Sequence, residues 1–490
     1  MKKNVTRGGV TLSIKLGWGY ILKCAKCNTN NVNCLQYSFK KMAGIKQISG
    51  IIIILCLFSS CKIISNVEKP KAGGMTAVSA NDFLNSIGVV SSITGRGETL
   101  SGTIDAINYT GIRWIRCGLE DKISIKDMIS LHKETGAKIV FGLLSGGNDV
   151  SAVIDTARIL AKAGALLAIE GNNEPNNWTI DYQGEVGGGK KSWLPVAYLQ
   201  RDLYRAAKED PILKDYPVWN ISEGGAQTDN VGLQFLTIPD GSGTIMPAGT
   251  RYADYANCHN YITHPSWPGL HDNQTWLSAS PGFDCPVDGL AGNYGVTWRK
   301  KFPGYSESEF QTLPRVTTET GIAMGGEVTE DIQARLFMNL YLSQFKRGWS
   351  YTAIYLLRTR SNEPEHEKYA FYKMDYTPKL ATHYLHNFTT ILADDGKLHS
   401  PGKMNYSIQD QPDTVHDLLL QKSNGHLFLV LWGERFLGGS DTITIHLGKT
   451  YQLVKIYDPT SGTAPIDIKR DVDAIVLEMT DHPVIIEVEK

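Results

Sequence analysis

An excess of either charge is what this sequence lacks most plainly: 49 Lys and Arg stand against 50 Asp and Glu in 490 residues, a net charge of −1. A chain so balanced offers no basic face for nucleic acid or for an anionic membrane surface. No Gly-x-Gly-x-x-Gly turn follows the first strand candidate, so the usual dinucleotide site is missing. No His-x-His pair or Asp/His cluster stands at a strand end, which argues against a metal-dependent hydrolase, and neither metal nor other cofactor is expected. Internal repeats and low-complexity tracts are absent as well. The apolar run from Ile51 to Phe58 is too short to span a bilayer as a helix. What is present is an ordinary globular balance, 42% hydrophobic and 20% charged, long enough for a large domain and a smaller one. Its 10 Trp and 22 Tyr suit either a large core or a sugar-binding cleft.

The first 75 residues differ from the rest. In "KKMAGIKQISGIIIILCLFSSCK" lysines precede the apolar run, and Ser59 and Ser60 precede Cys61, the layout of a secretory signal. With cysteine in that place it resembles a bacterial lipoprotein signal, although Phe58 stands where leucine is preferred. The resemblance implies that Cys61 is lipidated and becomes the mature N-terminus. The protein is then exported, anchored to a bacterial outer membrane or cell surface, and meets the membrane only through the lipid. Met42 stands where such a signal would begin, so residues 1–41 read as an extension from a misassigned start. Cys24, Cys27 and Cys34 fall within it, and one C-x-x-C with no matching pair is a poor zinc frame. Residues 1–61 are thus taken as extension and signal, and 62–80, with "NVEKPKAGGM", as a linker. Export permits a disulfide; Cys258 with Cys285 is the pairing considered first, with buried thiols as the alternative.

From residue 81 short apolar runs alternate with amphipathic stretches. "SIGVVSS", "IRWIRCG", "AKIVFGLLSG", "ALLAIEGNNEP", "YPVWNISEGG", "YADYANCHNY", "RVTTETG" and "WSYTAIYLL" read as strands. Helical patterns fall between them, one of uncertain extent before "YADYANCHNY". Eight strands over roughly 300 residues predict an α/β fold, a (β/α)8 TIM barrel over 81–395. Beyond it, "DLLLQKSNGHLFLVLWG", "DTITIHLG", "YQLVKIYDP", "DAIVLEM" and "HPVIIEVE" are short strands split by turn residues, which predicts an all-β sandwich over 396–490.

The tripeptide Asn-Glu-Pro occurs twice. Barrel chemistry gathers at the C-terminal ends of the strands. Glu174 follows "ALLAIEGNN" at the fourth strand end, whereas Glu363 lies in the polar run "RTRSNEPEHEKY", which reads as a loop coincidence whose replacement leaves activity nearly intact. Glu319, in "RVTTETG", emerges at the seventh strand end. Two carboxyls across a cleft can hydrolyse an acetal, one giving a proton to the leaving oxygen and the other attacking the anomeric carbon.

An Asn-Glu-Pro at the fourth strand end with a second glutamate at the seventh resembles the clan A glycoside hydrolases, retaining enzymes on (β/α)8 barrels, over residues 80 to 390. The resemblance implies that Glu174 is the acid/base and Glu319 the nucleophile. Asn173 resembles the asparagine that bonds the sugar hydroxyl beside the anomeric centre, and Arg116 the arginine that keeps the nucleophile ionised. "CHNY" resembles the clan's His-x-Tyr, so Tyr261 is expected to bond the nucleophile and His259 to line the cleft. Trp349 begins the eighth strand and is expected in the core; Arg358, beyond it, is expected on the substrate. Trp178, Trp267 and Trp298 fall in loop-like segments where a ring could stack on a sugar. The Thr-Pro-Lys in "MDYTPKLATHYLHNF" and the terminal sandwich also resemble clan members. The function implied is a retaining hydrolase of β-glycosidic bonds in a polysaccharide or oligosaccharide. The alternative is a carbohydrate-binding lipoprotein without turnover on the same scaffold.

Overall fold

The computed structural model describes short strands within residues 2–39 and then residues 74–175, 177–189, 191–222, 250–262, 269–279 and 313–489. Two compact units are present. In Met1–Val67, the segments Lys2–Thr6, Gly9–Leu16, Tyr20–Lys26 and Leu35–Phe39 pair antiparallel in sequence order. The expected signal and Cys61 lie outside the described residues, as do Cys285, Trp267, Trp298 and the uncertain helix before the sixth strand.

Glu68–Lys490 carries the barrel. Its strands are β1 (Ile87–Val90), β2 (Trp114–Gly118), β3 (Lys138–Leu144), β4 (Leu166–Asn172), β5 (Val218–Trp219), β6 (Ala256–Asn257), β7 (Arg315–Thr320) and β8 (Trp349–Ile354). They form an eight-stranded sheet ordered β5-β4-β3-β2-β1-β8-β7-β6, with parallel pairing between neighbours. A parallel bridge between Trp219 and Tyr255 brings the two edges together. Each predicted strand is found in its place. The strands read as near-continuous apolar runs because both faces are buried. On β2, Ile115 and Cys117 pack outward against the helices, while Trp114 packs inward with Val90, Val140, Ala168, Trp219 and Val316. Gly88 makes room for that filling, since a Cβ there would lie 2.0 Å from the Trp114 ring.

The helices start where the sequence supplies a cap. Thr99, Ser124, Asp149 and Thr329 each accept a backbone N–H in the first turn of Leu100–Thr110, Ile125–Thr135, Val150–Lys162 and Glu330–Lys346. The first two stop at Gly111 and Gly136, both with positive φ. Leu380–Leu392 begins after Lys379 of the Thr-Pro-Lys.

The all-β region comprises β9 (Lys403–Met404), β10 (Ser407–Gln409), β11 (Val415–Gln421), β12 (Leu427–Gly433), β13 (Asp441–Tyr451), β14 (Val454–Tyr457), β15 (Asp467–Lys469), β16 (Val472–Met479) and β17 (Pro483–Val488). One sheet is β10-β13-β16. The other runs β15-β14-β17-β12-β11 and ends on Val78–Ser79. Period-two alternation explains the run "LFLVLWG". Leu427, Leu429 and Leu431 face the sandwich core, while Phe428, Val430 and Trp432 join the core of the barrel. The expected linker thus ends in structure. Met75–Thr76 pairs with β9 and Val78–Ser79 with β11, because those sandwich strands would otherwise present open edges.

Candidate active site

A cavity of about 750 Å³ opens at the C-terminal ends of the barrel strands, lined among others by Arg116, Asn173, Glu174, Tyr261 and Glu319. At the end of β4 the chain turns sharply: Glu174 takes a left-handed φ of 40°. It is held there by its N–H on the Ser222 carbonyl at 2.9 Å, while its own carbonyl accepts Asn177 and Trp178. Strain of this kind is found where surrounding contacts over-determine a side chain's aim. On β7 the register shifts between Thr317 and Thr320, and Thr318 and Glu319 both make inward contacts.

Arg116 lies at the centre of the site. Its Nη1 donates to Glu319 Oε2 at 3.1 Å and its Nη2 to Asn173 Oδ1 at 2.9 Å. Nε and Nη2 also fork onto Glu170 at 2.8 and 3.0 Å. Burial works against this charge, but Glu170 and Glu319 outweigh it and raise the guanidinium's proton affinity above its ordinary value. Tyr261 donates to Glu319 Oε1 at 2.6 Å, and burial, then Glu319, push that phenol's pKa well up. Glu319 is thus gripped by two donors.

Glu174 has a different environment. Burial raises its pKa, only partly offset by the hydrogen bond from Asn177 Nδ2 at 2.8 Å and by Arg116. His259 Nδ1 is 2.7 Å from Glu174 Oε1, and its Nε2 is 3.1 Å from Thr318 Oγ1. Burial lowers the imidazole to about 4, so it is neutral near pH 7. The network assigns its proton. Thr318 spends its hydrogen on Glu170 Oε1 at 2.7 Å, so its oxygen accepts from Nε2–H. Bare Nδ1 then faces Glu174 Oε1 as an acceptor, which favours the protonated carboxyl in the same direction as burial does. One carboxylate oxygen of Glu174, one of Glu319 and a ring nitrogen of His259 all lie within 4.8 Å of one another. Such a trio could surround a cation, but Arg116 already supplies the positive charge beside Glu319.

Glu170 was missed by the sequence reading although it sits inside the quoted strand. It is fully buried between Arg116, Thr318 and Asn257 Nδ2 at 3.1 Å. Removing one side of a buried pair costs about 3–5 kcal/mol, so Glu170 fixes Arg116 in place. Trp178, 55% exposed, lines the cavity rim. Trp349 is buried in the core, with Nε1 on the Ala279 carbonyl at 3.1 Å.

Two expectations are corrected. Arg358 does not line the cavity: it is buried, donates to the Thr359 carbonyl at 3.0 Å and to the Met374 carbonyl, and lies over the Tyr376 ring. Arg360, two residues on, takes the place at the wall. Glu363 is not a loose loop residue either, since it lines the same cavity. Arg360 pairs with it at 3.1 Å and Arg96 at 3.3 Å, with Tyr355 and His366 alongside. The hydrogen bond with His366, then Arg360 and Arg96, hold its carboxyl down to about 2 against the opposing effect of burial. Glu363→Gln would leave Arg96 and Arg360 without their shared counter-charge. It is expected to lower kcat/KM for whatever glycoside the wild type cleaves about tenfold, mainly through KM. An unchanged KM would return Glu363 to the status of a bystander.

No protein-family model and no curated protein matches the sequence. Among solved structures, a family 39 glycoside hydrolase from the gut symbiont Bacteroides cellulosilyticus WH2 covers 96% of this chain and 88% of its own, at 14% identity and TM-score 0.51. A family 51 arabinofuranosidase from Xanthomonas axonopodis pv. citri covers 86% and 98% at 11% identity, TM-score 0.48. The glucanase-xylanase CelM2 from a metagenome library covers 84% and 98% at 10% identity, TM-score 0.49. At 14% identity the first of these speaks to architecture: this chain shares the barrel fold of that family 39 glycoside hydrolase, with an all-β region after it.

Proposed function

We propose that the protein is a retaining glycoside hydrolase that cleaves β-glycosidic bonds of a polysaccharide or oligosaccharide by double displacement. The observation that carries it is the unequal pair: two carboxyls with oxygens within 4.8 Å, Glu174 with its pKa raised by burial and Glu319 held by Arg116 and Tyr261. Retaining pairs stand about 5–5.5 Å apart, whereas inverting pairs leave room for a water between them at about 6.5–9.5 Å.

Glu319 attacks the anomeric carbon as the bond to the leaving oxygen breaks, and Glu174 gives that oxygen its proton. Water then attacks the same carbon, Glu174 takes the water's proton, and Glu319 leaves as a carboxylate. Asn173 is oriented for the sugar. Arg116 can only donate, so Oδ1 faces it and Nδ2, which reaches Ser145 Oγ at 3.3 Å, keeps a second hydrogen for a hydroxyl. Trp178 offers a ring face at the rim, and Arg360, in place of Arg358, completes the wall. The sequence of the N-terminal segment supports an exported protein tethered by lipid on Cys61.

Incubation with β-glucans, xylans, mannans, galactans and aryl β-glycosides, followed by proton NMR in the first minutes, tests the reading. The expected first product is the β-anomer. An α-anomer released first would mean inversion, and sugar binding with no cleavage would make the chain a binding protein.

A further inference from the structure

The all-β region reaches the catalytic face through one buried carboxylate. Glu434, just past β12, is fully buried and accepts the Thr275 and Trp276 N–H groups on Oε2 at 3.0 and 3.3 Å. Its Oε1 accepts the Thr275 hydroxyl and Ser343 Oγ, the latter at 3.2 Å. Those N–H groups open the helix Gln274–Ser278, whose own N-cap, Asn273, makes no side-chain capping bond. Glu434 therefore caps a barrel helix from the sandwich.

The path continues inward. Gln274, also fully buried, donates from Nε2 to the carbonyls of Ile262 at 2.8 Å and Gly269 at 3.1 Å. Ile262 in turn donates its N–H to Gly321, two residues after Glu319, at 3.3 Å. Its neighbour Tyr261 carries the hydroxyl that meets Glu319. Charged groups on the packed elements are engaged elsewhere: Arg435 with Asp272 and Asp441, Arg335 with Asp481, and Arg347 over the Trp276 ring. His416, stacked on Trp276, is kept neutral by burial. Glu434 is thus tied to the barrel by hydrogen bonds to the capped helix and Ser343.

We propose that Glu434 is a positioning residue for the reaction, holding Tyr261 against Glu319 through Gln274 and Ile262. This rests on Glu319 being the nucleophile, as read above. Kinetics on an aryl β-glycoside cleaved by the full chain, and hydrogen exchange of the amides at 260–262, test it together. Glu434→Ala, Gln274→Ala and Tyr261→Phe should each lower kcat about tenfold with KM little changed. The Glu434→Ala/Tyr261→Phe double variant should be no slower than Tyr261→Phe alone. Glu434→Gln, whose amide oxygen still accepts from Thr275 and Trp276, should restore kcat and normal exchange. A lower melting temperature with kcat and exchange unchanged in the alanine variants, or additive losses in the double variant, would overturn the proposal. Gln274→Ala keeps the test open if Glu434→Ala does not fold. If the wild type cleaves nothing, the glycosidase reading falls and exchange at 260–262 alone decides whether Glu434 positions that segment.

Discussion

Glu319→Gln is expected to fold, bind sugar and turn over substrate on the order of 10⁵-fold more slowly than the wild type. The substitution conserves shape. Tyr261 can still donate to the amide oxygen, and Arg116 keeps its fork on Glu170, so the cavity retains its walls. What disappears is the nucleophile, because a neutral amide cannot form and release the glycosyl ester. Calorimetric titration with an oligosaccharide product should give near wild-type affinity, and the melting temperature should move little. Wild-type turnover in this variant would take the role of nucleophile away from Glu319.

The second large effect belongs to Glu174→Ala, and it should depend on the leaving group. Loss of a general acid costs about 10²–10⁴-fold where the departing oxygen needs a proton. A dinitrophenyl glycoside needs none, so its glycosylation step should be nearly spared. The glycosyl-enzyme then accumulates without a base to activate water, and azide, which needs no base, should restore turnover and yield a glycosyl azide. The pH profile gives an independent check. Glu174 works as an acid only while protonated, and burial raises its pKa, so wild-type activity should fall as pH climbs through that raised value. The alkaline fall should be absent in Glu174→Ala. Equal losses on good and poor leaving groups would place the proton donor elsewhere.

The strands were legible because the barrel buries each of them on both faces, which leaves apolar runs bounded by turns. Placing strand ends then located Glu174, Glu319, Arg116 and Tyr261 in the lining of one cavity, whereas His259, expected to line the cleft, is fully buried behind it against Glu174. Glu170 escaped although its signal was available: a charge in the middle of "LLAIEGN" cannot be buried alone, and so demanded a partner such as Arg116. The relay through Thr318 and Asn257 gave no comparable signal, since small polar residues on strands are common. Arg358 was misplaced because only the path of the chain beyond β8 decides which arginine turns inward. The second Asn-Glu-Pro looked idle because Arg96, one of its partners, is 267 residues away, a contact no local pattern encodes.

The strand Val78–Ser79 has an engineering consequence. By seating on β11 it makes the sandwich a structure assembled from segments on either side of the barrel, so cutting near residue 396 would yield two damaged halves, one with a stray strand and the other with a bare hydrogen-bonding margin. The barrel is held like a bead whose clasp closes on itself. Module swapping between this protein and others should therefore carry residues 74–79 along with the sandwich.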